Sequence, residues 1–176
     1  MDDDQELVRR MAGGDGAALR ELYGRHGALL LSYLTRRLGD QALAEEVLQD
    51  VMLAAWRSSV RFRGECQVRT WLLAIAHNRM LNARRRQRAL PASRAAAESM
   101  SVPAPTPPDP RLARVRAAVE RLPEAQRIAL ELVFEDGLSM RDAGLVLDVA
   151  TGTVKSRIHR ARLALRELLA EGHDDD

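Results

Sequence analysis

The residues of this chain whose types and spacing could do chemistry are cations, and the chemistry open to them is the holding of anions. The string GTVKSRIHRAR places Lys155, Ser156, Arg157, His159, Arg160 and Arg162 along one helical pattern, and a second cluster, Arg79, Arg84, Arg85, Arg86 and Arg88, closes an earlier one. Cations this close in sequence are not mutually neutral, so something anionic, or solvent and salt, must screen them. Nucleic-acid phosphate is the natural candidate. On charge and periodicity alone a solvated surface helix fits equally well.

No catalytic or metal-binding chemistry competes with that reading. The four histidines, His26, His77, His159 and His173, have no metal-ligand spacing. Cys66 is the only cysteine, which rules out an intrachain disulfide and suits a reducing cytosol. Nothing near it in sequence explains a lowered thiol pKa, so it receives no redox role. No carboxylate, thiol or hydroxyl stands in a recognisable catalytic constellation, and neither enzyme activity nor a cofactor is expected. The start, Met1 followed by acidic residues, lacks the charged and apolar regions of a signal peptide, and no uncharged apolar run approaches membrane-spanning length. A cytoplasmic protein without membrane insertion is expected.

The elements that must position these cations follow from composition and pattern. A chain of 176 residues, 46% hydrophobic and 30% charged, can bury one ordinary core or two small ones. Aromatic residues are only 3%, while Leu, Ala and Arg abound, which favours packed helices over sheets. An all-α protein is expected. The net charge of +2 conceals acidic runs at both ends, Asp2 to Asp4 and Asp174 to Asp176, that mask the basic segments between them. Lys155 is the only lysine among 27 basic residues, a bias that suits a GC-rich genome better than a physical need for guanidinium groups.

Six of the seven prolines lie between Pro91 and Pro110, where large apolar residues are nearly absent. This reads as a Pro/Ala-rich linker over 91–110, its Pro-rich end favouring extended conformations, between an N-terminal helical domain, 1–90, and a C-terminal one, 111–172. In the first, Leu19, Leu22, Tyr23, Leu29, Leu30, Tyr33 and Leu34 recur at helical spacing, and Gly39-Asp40 supplies a stop followed by an N-cap. From Gln41 to about Arg57 a second pattern buries Leu43, Val47, Leu48, Val51, Ala55 and Trp56 and leaves Glu45, Glu46, Gln49 and Asp50 on a polar face. RFRGEC breaks the periodicity, after which TWLLAIAHNRMLNARRRQR reads as a helix with Thr70 at its N-cap.

The C-terminal domain shows helical patterns at about 111–121, 123–135, 139–147 and 151–170. Ser139 and Asp142 form a capping-box-like start for the third. In the fourth, Val154, Ile158, Ala161, Leu165 and Leu168 form the inward stripe and the cations point elsewhere. Two short helices joined tightly, the second basic from its first turn, are what a helix-turn-helix requires. Lys155, Ser156, His159 and Arg160 are then the candidate base readers, and Arg157 and Arg162 suit phosphates or intramolecular pairs.

The stretch LPEAQRIALELVFEDGLSMRDAGLVLDVATGTVKSRIHRARLALREL resembles the second DNA-binding domain (region 4) of bacterial sigma-70 factors, with GTVKSRIHRAR its most specific string. AEEVLQDVMLAAW and FRGECQVRTWLLAIAHNRM resemble the other sigma domain (region 2). The two in this order, with no further domain between or before them, resemble the extracytoplasmic-function (ECF) group. The chain departs from the family pattern at Ala143-Gly144, Asp148 and Ala150, where an Ile-Ala pair, a Gly and a Pro are usual. Asp148 tolerates a left-handed turn, whereas Gly144 inside a helix costs about 1 kcal/mol relative to Ala.

The resemblance implies a sigma factor that binds core RNA polymerase, directs it to promoter DNA and assists melting, with a cognate anti-sigma factor as a further partner. It implies that Lys155, Ser156, His159 and Arg160, with Arg157, face the minus-35 element. It implies that Phe62, Trp71 and Asn78 capture an unstacked base of the minus-10 element while Arg79 and Arg85 hold the strand, and that Glu46, Gln49 and Asp50 dock on a coiled coil of the largest polymerase subunit. Each has a plainer alternative: an exposed imidazole at His159, core aromatics at Phe62 and Trp71, a solvated face at Glu46 to Asp50. Two rival functions stay open, a stand-alone helix-turn-helix regulator and a helical adaptor whose basic face contacts acidic protein or RNA.

Overall fold

The computed structural model describes residues 3–89 and 109–171, and every regular element among them is a helix. The chain divides into two compact units, residues 1–101 and 102–176. Most of the stretch expected as a linker, 91–110, lies outside the described residues.

The first unit comprises α1 (Asp3–Ala12), α2 (Gly16–Leu38), α3 (Gln41–Ser58), a 3-10 turn (Ser59–Arg61) and α4 (Val68–Ala89). Helices α2, α3 and α4 pack on one another around Leu22, Leu30, Leu34, Val47, Val51, Leu72, Leu73 and Met80, all fully buried. Each apolar side chain removed from water in this way contributes roughly 1.5–3 kcal/mol. Gly39 closes α2 with its N–H on the Thr35 carbonyl, and Asp40 caps α3 by accepting from the Leu43 N–H at 3.0 Å, so the stop and cap read at Gly39-Asp40 are realised.

Helix α1 is absent from the periodicity reading. Its Leu7, Val8 and Met11 are buried against the unit, and its acidic start grips α2: Arg25 binds Asp3 at 2.6 Å, Asp4 at 2.9 Å and Glu21 at 2.5 Å, while His26 Nε2 lies 2.6 Å from Asp4. Asp15 begins α2, accepting from the Ala17 N–H at 2.8 Å and from Arg10 at 2.7 Å. The Arg10 bond first, and the Ala17 amide next, hold its carboxyl below the usual carboxylate range.

Thr70 is not the N-cap of α4. The helix starts at Val68, the Trp71 N–H already donates to the Gln67 carbonyl, and Thr70 faces the core with its Oγ1 unpartnered among the described residues. Burial of both Val68 and Thr70 draws this turn into the helix, outweighing the capping preference of a threonine. Trp56, expected in the buried stripe, is only half-buried. Between α2 and α4 the buried Tyr33 hydroxyl meets His77 Nδ1 at 2.8 Å, and the Arg37 guanidinium lies 3.7 Å from the centre of the Tyr33 ring.

The second unit comprises α5 (Pro110–Glu120), α6 (Glu124–Phe134), α7 (Met140–Leu147) and α8 (Thr151–Glu171). The other three helices all pack on α8. Val154, Ile158 and Ala161 of α8 are buried as expected, with Ile128, Ala129 and Leu132 of α6 and Ala143 and Val146 of α7, whereas Leu165 and Leu168 are half-buried. Among the described residues no helix is long and apolar enough to cross a membrane.

Candidate nucleic-acid interface

The turn between α7 and α8 fixes how α8 is presented. Ser139 opens α7, its hydroxyl accepting from the Asp142 N–H at 3.0 Å and donating to the Asp142 carboxylate at 2.5 Å, a variant of the expected capping box. Asp148 ends α7 in the left-handed conformation, φ 52° and ψ 48°, its N–H directed to the Gly144 and Leu145 carbonyls. It is the only non-glycine at positive φ among the described residues. The Val149 N–H then returns to the Gly144 carbonyl at 3.0 Å. A Cβ at Gly144 would stand 2.8 Å from the Val149 carbonyl oxygen. The glycine that looked costly inside a helix is therefore what lets the turn pass against α7.

This turn leaves one flank of α8 on the core and the opposite flank free. Lys155 and His159 are exposed in one row that continues through Arg162 and Arg166, and these four line a cavity of about 600 Å³ with Met140 of α7. Ser156 and Arg160 form the adjacent row. Ser156 Oγ donates to the Thr153 carbonyl at 2.9 Å, and Arg160 folds back on its own helix, reaching Ser156 O at 3.3 Å and Ser156 Oγ at 3.2 Å. Arg157 sits half-buried at the flank. The structure thus brings Lys155, Ser156, His159 and Arg160 to the outward side of one helix, in two rows, and leaves Arg157 apart at the flank.

In the first unit the expected base-capturing residues do not share one pocket. Phe62 and Trp71 do meet, ring centres 4.9 Å apart and planes tilted by 41°, both half-buried beside a cavity of about 410 Å³ that Arg61, Arg63, Glu65 and Cys66 also line. Asn78 lies two turns further along α4 in another cavity, of about 550 Å³, with Arg57, Arg61, Arg79 and Asn82. Its Nδ2 donates to the Ala74 carbonyl at 3.1 Å. Arg61 borders both cavities. Arg57, Arg61 and Asn82 were missed from sequence, although the Asn78/Asn82 spacing, one helical turn on one face, was the available signal.

Arg79 and Arg85 are exposed as expected, but the cluster around them is not uniformly available. Arg84 donates to the Arg37 carbonyl, and Arg86 reaches Asp50 across 3.9 Å. Glu46 and Gln49 are exposed on α3, whereas Asp50 is half-buried and faces that arginine. Beside Gln49 runs an apolar groove that sequence reading overlooked, formed by Leu19, Tyr23, Met52 and Leu53, with Tyr23 51% and Leu53 50% exposed.

A helix-turn-helix with a cationic outer flank, and a separate helical unit with aromatic and amide-lined cavities edged by arginine, are the arrangement of a nucleic-acid-binding protein. The family model described as Sigma-70 region 2 matches residues 22–90, and that described as Sigma-70, region 4 matches residues 112–165. The ECF RNA polymerase sigma factor SigM of Mycobacterium tuberculosis (strain ATCC 25618 / H37Rv) is 38% identical over 168 residues, 94% of this chain and 84% of that protein. The RNA polymerase sigma factor CarQ of Myxococcus xanthus is 33% identical over 168 residues, 93% of this chain and 96% of that protein. Among solved structures, CnrH in complex with the cytosolic domain of CnrY aligns with a TM-score of 0.69 at 29% identity, covering 97% of this chain and 99% of that one. The sigma factor RpoE of Bartonella quintana, in complex with the anti-sigma factor NepR, aligns at 0.62 and 28% identity over 84% of this chain and 96% of that one. The chain belongs to the ECF sigma factors of the sigma-70 family.

Proposed function

We propose that the second unit reads the minus-35 element with the N-terminal half of α8, and that the first unit captures single-stranded minus-10 DNA while docked on core RNA polymerase. The observation that carries this reading is the α7–α8 turn, in which Asp148 and Gly144 hold α8 with Lys155, Ser156, His159 and Arg160 outward. The exposed Lys155 and His159 face base edges directly, and Arg160 joins them by exchanging its bonds to Ser156 for bonds to a base. Arg157 and Arg162 serve phosphates. In the first unit Phe62 and Trp71 offer a stacking wall, Asn78 an amide for a base edge, and Arg79 and Arg85 the backbone contacts.

Glu46, Gln49 and Asp50 form the polar part of the polymerase-docking face, and the Tyr23–Leu53 groove supplies apolar area beside it. Binding energy, with no catalytic centre or cofactor in this chain, drives promoter opening in the cytoplasm. The domains 1–90 and 111–172, linked by 91–110, engage the two promoter elements together. An anti-sigma factor is a further partner, by analogy with the RpoE complex with the anti-sigma factor NepR.

Run-off transcription with purified core polymerase on fragmented DNA of the source organism tests the proposal. New discrete transcripts that require this protein are expected. Duplex binding without new start sites would instead identify a stand-alone regulator and dismiss the docking face.

A further inference from the structure

The Phe62–Trp71 pair, as it stands, is closed to a base. A base sandwiched between two rings needs about 3.4 Å on each side, roughly 7 Å in all, and these centres are 4.9 Å apart with planes tilted by 41°. Each ring covers part of the face the other would offer. A base can slip between them only if one ring retreats.

Trp71 belongs to the first turn of α4, so its backbone is held by the helix, and its ring borders the cavity it shares with Phe62. Phe62 is placed differently. It follows the 3-10 turn in extended backbone, φ −70° and ψ 118°, and is anchored by one main-chain bond, its N–H on the Ser59 carbonyl at 3.1 Å. It also borders a second cavity, of about 340 Å³, between the 3-10 turn and α1, where Gln5, Val8 and Ala12 form the opposite wall. A cavity of roughly 150 Å³ suffices for benzene, so this one takes a phenyl ring.

We propose that Phe62 is a gate: on base capture its ring swings from Trp71 into the groove against α1, and the base stacks on the face of Trp71 that this uncovers. Helix α1, which carries none of the DNA contacts assigned above, thereby becomes the receiving wall of the base site. The inference rests on base capture at Phe62 and Trp71 as the proposed function assigns it.

The test fills the groove from its exposed rim. Ala12→Leu, at the solvent-exposed last residue of α1, adds its side chain beside Val8 at the rim of the receiving space and leaves the buried Leu7, Val8 and Met11 themselves unchanged. With core polymerase, on a promoter recovered from the run-off experiment, closed-complex binding should match the parent. Permanganate reactivity of the opened strand should develop at least about tenfold more slowly, the loss that accompanies one stacked base. Adding Phe62→Ala should abolish this effect, the double variant opening like Phe62→Ala alone, because there is no longer a ring to receive. Ala12→Met serves as a second filling variant if thermal melting shows Ala12→Leu to be unfolded. If Trp71→Ala slows opening and the groove-filling variants do not, the gate is overturned while base capture stands. If Trp71→Ala opens as fast as the parent, base capture at this site fails and the gate with it.

Discussion

At the scale of single residues, position 144 sets local propensity against packing. Alanine is the better helix former at position 144 by about 1 kcal/mol, yet a Cβ there would meet the Val149 carbonyl at 2.8 Å, backbone against side chain with no flexible group to give way. Gly144→Ala should therefore destabilise the second unit by about 1–3 kcal/mol, the range for overpacking a tight contact, visible as a lowered unfolding midpoint. A stabilised variant would show that the turn shifts freely. Arg160 carries the specificity argument. Arg160→Ala should cost about 1–3 kcal/mol on a matched upstream element and little on a scrambled one, measured by holoenzyme binding to both. Equal losses on both would move Arg160 to the phosphate contacts. Asn78→Ala should slow promoter opening more than closed-complex binding, since its amide borders a cavity of the first unit and not the α8 surface. Permanganate footprinting that showed unchanged opening would remove Asn78 from the base site.

At the scale of elements, several boundaries were legible from their caps, although the Asp15 cap of α2 was not. Gly39-Asp40, Ser139-Asp142 and Asp148 each gave an end that the hydrogen bonds realise. Helix α1 was not legible, because a ten-residue segment with three acids and two arginines shows too short an apolar pattern to stand out from a charged terminus. Its order comes from tertiary burial of Leu7, Val8 and Met11 and from the grip of Asp3 and Asp4 on Arg25, both long-range effects. The α4 start was misplaced for a related reason, since capping preference favours Thr70 and packing overrides it. The division of Phe62/Trp71 from Asn78 was likewise beyond the sequence, because spacing along α4 does not say that Arg61 stands between two cavities. Asp15 supplies an element-scale prediction. Its carboxyl is held below its ordinary pKa by Arg10 and the Ala17 amide, so the stabilisation it gives is present above the unfolded-state value and lost as pH falls through the lowered folded one. Asp15→Ala should melt below the parent at neutral pH, and the gap should narrow on acidification through that range. A gap that persisted unchanged at low pH would mean that the charge of Asp15 contributes nothing to the α1–α2 junction.

At the scale of the whole molecule, the small net charge of +2 is misleading, since clusters of cations stand on α8 and the end of α4 while acids gather at the termini, on α3 and around α6. Under the proposed function, neither surface alone is expected to bind tightly. Helix α8 carries five lysine and arginine cations, and the single-strand site proposed for the first unit needs DNA already open or opening. Promoter affinity must then come from engaging both elements through one chain, where the second contact is made at the effective concentration set by the first. A specific protease site placed within 91–108 separates chain connectivity from the presence of the two units, because cleavage leaves both in equal amounts. Cleaving it in the assembled chain before adding promoter should lower occupancy by about 10²–10⁴, the advantage that linkage confers on a pair of modest binding sites, and occupancy of a promoter whose upstream element is scrambled should barely change. Unaltered occupancy after cleavage would mean that the polymerase holds each unit independently and that the segment between them contributes no avidity.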